Sequence, residues 1–204
     1  MLILVPTDIE AKPLIEAGLR VDIVGVGPVE AAIGAMEALS KRPSSVAFLV
    51  GLAGAYPDTD LLCGQLVLAT EEHFADLGVC YLLTEGPLCG PFPVPTFCDL
   101  KKPFLEKIIF LLQEAGFDPE VGPLVTVSCV TRDYQRARRF RLRYDALAEN
   151  MEGFAVARVA QKLGVTLIEL RAISNLVAYP EAPWEVEKAL NNVKEALLCL
   201  RQRL

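Results

Sequence analysis

The chain has 204 residues, 52% hydrophobic and 23% charged, so it can bury a core of its own and is neither disordered nor of low complexity. Its 20 basic and 26 acidic residues leave a formal charge of -6, which argues against a general binder of nucleic acid, where phosphate neutralisation dominates affinity.

Leu2 to Val5 reads as a first strand. It lacks a basic start and is followed at once by Asp8 and Glu10, so no leader peptide is expected. Asp8 can cap a short helix from Ile9 to about Ala17. Val21 to Val26 is a second strand. Val29, Ala32, Ile33, Met36 and Leu39 then recur at helical spacing. Val46 to Val50 is short, apolar and closed by Gly51, the pattern of a strand buried on both faces. Alternating strands and helices imply a mostly parallel sheet covered by helices. The longest near-apolar run, Val46 to Tyr56, falls short of the roughly 20 residues that span a bilayer. A soluble, cytoplasmic protein without a membrane partner is expected.

Gln65 to Thr70 is a further strand. Gly86 to Pro95, dense in proline and glycine, is loop. Phe104, Ile108, Leu111, Leu112 and Ala115 share one side of a helix. Val121 to Val130 is β-branched and reads as strand. A helix from about Glu152 to Leu163 turns Val156, Val159, Ala160 and Leu163 inward, and Val165 to Ala172 is another strand. Val186, Ala189, Leu190, Val193, Leu197 and Leu200 line a closing amphipathic helix. No repeat or linker divides the chain, so residues 1–204 are read as a single α/β domain, a mixed central β-sheet flanked by helices. Ligands of open α/β sheets bind beyond the carboxyl ends of the strands. That places a pocket at the turn after Val5, at Gly25-Val26-Gly27, at the turn Gly51 to Ala55, and after Ile173.

Six cysteines stand at positions 63, 80, 89, 98, 129 and 199 without a C-x-x-C pair, and His73 is the single histidine. This pattern gives no metal site, and the thiols read as small apolar core residues. Gly25-Val26-Gly27-Pro28-Val29-Glu30 departs from a dinucleotide loop, because Glu30 stands where the third glycine belongs. No cofactor is expected. In Asn150-Met151-Glu152-Gly153, Glu152 opens a helix. It is either a carboxylate favoured by the helix dipole or one placed to accept two hydrogen bonds from a sugar diol. Arg171-Ala172-Ile173-Ser174-Asn175 ends an apolar strand in polar residues, either as turn chemistry or as an amide poised to donate and accept. Arginines crowd the stretch from Arg132 to Arg143. They form a solvated helix face or ion pairs with the acidic residues, or an anion site for a substrate carboxylate. His73, among Glu71, Glu72 and Asp76, has no nucleophile to activate and reads as a strand or loop residue with an ordinary partner.

Taken in order, several segments resemble the purine nucleoside phosphorylase and nucleosidase superfamily over most of the chain. They are Thr7-Asp8-Ile9-Glu10, Gly25-Val26-Gly27, Gly51-Leu52-Ala53-Gly54-Ala55, Glu71 to Asp76, Asn150-Met151-Glu152-Gly153 and Arg171 to Asn175. M-E-G and R-x-I-S-[ND] are the most specific of these motifs. Within the superfamily the chain is most similar to the futalosine hydrolase family. The resemblance implies a nucleoside phosphorylase-like fold and hydrolysis of futalosine to hypoxanthine and dehypoxanthine futalosine, a step of menaquinone biosynthesis. The alternatives are a methylthioadenosine/S-adenosylhomocysteine nucleosidase, a purine nucleoside phosphorylase, and a catalytically silent nucleoside-binding module. A homo-oligomer that takes a small-molecule nucleoside is expected.

The resemblance also implies roles. Glu10 is the base that activates water. Glu152 clamps the ribose hydroxyls, with Met151 packed on the sugar. Ala53 and Gly54 line the ribose and purine through their backbone amides. Asn175 stands where adenine-releasing relatives carry an aspartate. An amide can donate to N7 or O6 of a 6-oxopurine, whereas a carboxylate opposite O6 would be repelled. In Leu49 to Gly54, leucines stand where phosphorolytic relatives carry an arginine and a serine, which favours water over phosphate. No aromatic stands at the position aligned with the relatives' stacking phenylalanine. The base is therefore expected to stack on Tyr134 or on an aromatic of another chain. Arg132 or Arg136 is expected to meet the carboxylate of the substrate's side arm.

Overall fold

The computed structural model describes residues 1–80, 85–87, 94–177, 179 and 181–204. In β1 (Leu2–Val5), Leu2 and Leu4 face one core while Ile3 and Val5 face another. This is the period-two alternation of a strand covered on both sides. α1 (Asp8–Glu16) is capped by Thr7, not by the expected Asp8: the Thr7 hydroxyl accepts from the Glu10 amide at 3.2 Å. Asp8 lies inside the first turn, where a carboxylate favours the helix dipole. β2 (Val21–Ile23) is shorter than expected, because Val26 already serves as N-cap of α2 (Gly27–Lys41).

β3 (Val46–Ala55) runs straight through the expected turn at Gly51 to Ala55. Next come β4 (Leu66–Phe74), β5 (Gly78–Cys80), β6 (Glu85–Pro87) and β7 (Phe97–Asp99). Gly86 and Pro87, expected in loop, belong to β6, which pairs with β5. Residues 88–93 of that stretch lie outside the described residues. α3 (Pro103–Glu114) and β8 (Glu120–Thr126) follow. The arginine run beyond Arg132 forms α4 (Tyr134–Tyr144), anchored by buried Ala137 and Phe140. β9 (Ala148–Asn150), α5 (Gly153–Leu163), β10 (Thr166–Leu176) and α6 (Val186–Arg203) complete the order.

The main sheet is mixed, as expected, but part of it closes on itself. β3 pairs parallel with β10 and antiparallel with β9. β10 pairs antiparallel with β4, β4 parallel with β8, and β8 parallel with β9. The circuit β3, β10, β4, β8, β9 is a barrel, and β1 and β2 extend it beyond β3. Bulges between Ile173 and Asn175 in β10 and between Ala69 and Glu71 in β4 bend these strands into the closed form. Closure explains why β3 continues past Gly51: partners flank it to its last residue. α1, α3 and α6 cover one side of the sheet; α2 and α5 cover the other.

His73 sits in β4 with Nε2 3.3 Å from Glu71 Oε2, its ring packed by Phe97 and Tyr144, which is the ordinary role expected of it. Cys98 is a buried free thiol, as expected, whereas Cys129 is exposed and fills no core. The side chains of Cys80 and Cys89 lie outside the described residues. No described helix is long and apolar enough to cross a membrane.

Candidate active site

Thr7 and Glu10 have the spacing of a capping box, in which the glutamate would normally reach back to the cap's own amide. Here it turns elsewhere. Its Oε2 accepts from the Thr7 hydroxyl at 2.6 Å and its Oε1 from the Leu52 amide of β3 at 3.0 Å. Burial raises the Glu10 pKa, an effect partly offset by Thr7, Leu52 and Arg171. Gly51 is required for this approach. A Cβ there would stand 2.5 Å from Glu10 Oε1 and 3.0 Å from Arg171 Nη1.

Glu152 is the N-cap residue of α5, yet its side chain caps nothing on that helix. Asn150 does the capping: its Oδ1 accepts from the Glu152 amide at 2.9 Å and the Gly153 amide at 2.6 Å. The Glu152 carboxylate is thus left to other partners. Its Oε1 accepts from the Gly27 amide at 3.2 Å, at the positive end of α2, and its Oε2 lies 3.4 Å from Arg171 Nη1. The dipole reading of Glu152 holds in part, but the dipole it serves belongs to α2.

Arg171 ties the carboxylates together. It is 1% exposed. Its Nε donates to Glu169 Oε1 at 2.9 Å, its Nη2 to Asn150 Oδ1 at 3.2 Å, and its Nη1 to the Leu52 carbonyl at 3.3 Å. The Leu52 backbone thus touches both halves of the cluster, with its amide on Glu10 and its carbonyl on Arg171. Behind them Glu72 and Glu169 crowd together at Gly153. Burial and the neighbouring Glu169 push the Glu72 pKa well above the usual carboxylate range. Thr126 and Asn150 hold its two oxygens at 2.7 and 2.6 Å.

The bulge in β10 aims Asn175 into the same space. The Ser174 hydroxyl donates to Asn175 Oδ1 at 2.9 Å, which engages the amide oxygen and leaves the nitrogen as the donor. A cavity of about 390 Å³ lies over these groups. Glu10, Ala53, Gly54, Met151, Glu152 and Asn175, all singled out in the sequence, line it together. Two further lining residues had no sequence signal of their own, Glu149 and Trp184. Trp184 is the chain's one tryptophan and the aromatic of the lining, while Tyr134 borders a different hollow beside Tyr56 and Tyr179. Arg132 and Arg136 are not in the lining either. Arg136 binds Asp76 at 3.1 Å and the Cys129 carbonyl at 2.8 Å, and it packs on Phe140. Arg136 is thus engaged outside the cavity lining.

The family model "Phosphorylase superfamily" matches residues 14–202. The chain belongs to the phosphorylase superfamily. Among curated members of similar sequence, futalosine hydrolase of Acidothermus cellulolyticus is 34% identical over 182 residues, which cover 87% of this chain and 73% of that protein. A 5'-methylthioadenosine/S-adenosylhomocysteine nucleosidase of Staphylococcus aureus is 25% identical over 154 residues, covering 74% of this chain and 66% of that protein. Among solved structures, the native futalosine hydrolase of Helicobacter pylori superposes with a TM-score of 0.86 at 20% identity, covering 100% of this chain and 97% of that one. The nucleoside phosphorylase-like fold expected from the sequence is thus the fold observed.

Proposed function

We propose that this chain hydrolyses the N-glycosidic bond of futalosine, releasing hypoxanthine and dehypoxanthine futalosine. Sequence kinship with curated futalosine hydrolases supports the substrate. One observation carries the choice of water as nucleophile. Among the described residues, the cavity lining contains Glu10, Glu149 and Glu152 and neither lysine nor arginine. A phosphate dianion there would face three carboxyl groups. Leu49 is fully buried in the core, and the Leu52 amide is already taken by Glu10.

In this reading Glu10 holds a water against C1′ of the ribose and takes its proton as the new C–O bond forms. The C1′–N9 bond breaks, and its electron pair passes to the purine. Asn175 donates to N7 or O6 and stabilises the charge that develops on the leaving base. Glu152, braced by Arg171 and Gly27, accepts from the ribose hydroxyls, with Met151 against the sugar. The reading includes a cytoplasmic homo-oligomer. Ile9 and Val26 line the cavity yet remain exposed, and Val29 and Ile33 on α2 are exposed as well.

Hypoxanthine release from futalosine, measured with and without inorganic phosphate, is expected to run at the same rate in both. A strict phosphate requirement would overturn hydrolysis, and a preference for methylthioadenosine over futalosine would overturn the substrate. Asn175→Asp is expected to shift the ratio of kcat/KM values toward 6-aminopurine nucleosides by at least about 10-fold, the worth of roughly one hydrogen bond. An unchanged ratio would show that Asn175 does not read the base.

A further inference from the structure

We infer that Glu149 is a specificity-determining residue that accepts the N1–H of the departing 6-oxopurine, opposite Asn175. The inference rests on the reading above. It begins with register. Gly54 of β3 has Glu149 of β9 as its neighbour on one side and Asn175 of β10 on the other. Paired residues of adjacent strands share a face, and adjacent strands lie about 4.8 Å apart. Glu149 and Asn175 therefore flank a slot about 10 Å wide between their backbones, and its floor is a glycine. A Cβ at Gly54 would come within 2.8 Å of Val177 Cγ2 and 3.2 Å of Asn175 Nδ2, so only a glycine fits there.

Glu149 is 4% exposed and lines the cavity. Its Oε1 accepts from the Thr131 amide at 2.8 Å, and its Oε2 accepts from the Tyr56 hydroxyl at 2.8 Å. These donors fix the group in place and present it as an acceptor. Each carboxylate oxygen keeps a second lone pair. A 6-oxopurine carries a hydrogen on N1, beside O6. A 6-aminopurine carries a bare N1, itself an acceptor. A fixed acceptor in this position attracts the first and repels the second. Asn175 donates to the O6 and N7 side, and Glu149 accepts from the N1 side. Two contacts of opposite polarity then define hypoxanthine and reject adenine.

The test uses the whole enzyme and three substrates: futalosine, its 6-amino counterpart, and futalosine methylated at N1. Wild type is expected to turn over the N1-methyl compound with kcat/KM at least about 10-fold below that for futalosine. In Glu149→Gln the amide oxygen still accepts from Thr131, and the amide nitrogen can donate to the Tyr56 oxygen. That variant is expected to lose at least about 10-fold in kcat/KM on futalosine and nothing on the 6-amino compound. Equal losses on both would mean that Glu149 only braces the segment around Thr131, and the inference would fall. Equal turnover of futalosine and its N1-methyl form by wild type would overturn it without any variant. If wild type releases no hypoxanthine from futalosine, the functional reading fails first and this inference fails with it.

Discussion

Replacing Glu10 with glutamine is expected to lower kcat by at least about 100-fold while substrate affinity stays within about threefold. The size follows from what a positioned base contributes: 100-fold is about 2.7 kcal/mol of barrier. The geometry makes the substitution clean. An amide oxygen can accept from Leu52 as Oε1 does now, and the amide nitrogen can donate to the Thr7 oxygen. The side chain should stay where it is and lose only its basicity. The pH profile gives a second reading. Burial raises the Glu10 pKa, so its ionised form is lost at a higher pH than that of an exposed glutamate as the solution is acidified. Wild-type kcat should fall on the acid side at a higher pH than an exposed glutamate would give, and that limb should vanish in Glu10→Gln. Undiminished turnover in the variant would remove Glu10 from the chemistry.

Six residues that line the cavity were legible in the sequence because each stands in a short local motif whose spacing survives folding. Thr7 to Glu10, Asn150 to Gly153 and Arg171 to Asn175 are of this kind. What closes the barrel was not legible. β9 spans three residues, too few to show a period, and its pairing with Gly54 joins segments far apart in the chain. Glu149 was hidden for the same reason: nothing local distinguishes it from a surface glutamate beside Asn150. Gly51 to Ala55 looked like a turn because small residues crowd there. Their smallness instead admits Glu10, Arg171 and Asn175 against a strand flanked on both sides. Arg136 looked available because its partner Asp76 lies in another segment of the chain. Glu72 was considered only beside His73, although alternation along β4 turns their side chains to opposite faces. His73 goes to the aromatic side, while Glu72 goes to the carboxyl cluster under the site.

That cluster yields the largest expected effect on stability. Arg171→Met should cost about 3–5 kcal/mol at neutral pH, because it leaves buried carboxylates without their cation. Glu169 is fully buried and bound to Arg171 Nε at 2.9 Å, and Glu152 lies 3.4 Å from Nη1. The sign of the pH dependence follows from linkage. Burial already raises the pKa values of Glu10, Glu72 and Glu169 above their unfolded values, and loss of the cation raises them further. The folded variant therefore binds protons more tightly than its unfolded chain, so it gains stability as pH falls toward the unfolded carboxylate values. Urea unfolding at about pH 8 and about pH 5.5 should show a deficit relative to wild type that shrinks at the lower pH. Arg171→Lys should recover only part of the loss, because an ammonium cannot fork to Glu169, Asn150 and Leu52 at once. A deficit below about 1 kcal/mol, the range of an exposed ion pair, would mean that the carboxylates reach solvent when the guanidinium is gone. A deficit unchanged between the two pH values would mean that lost packing, not unpaired charge, sets the cost.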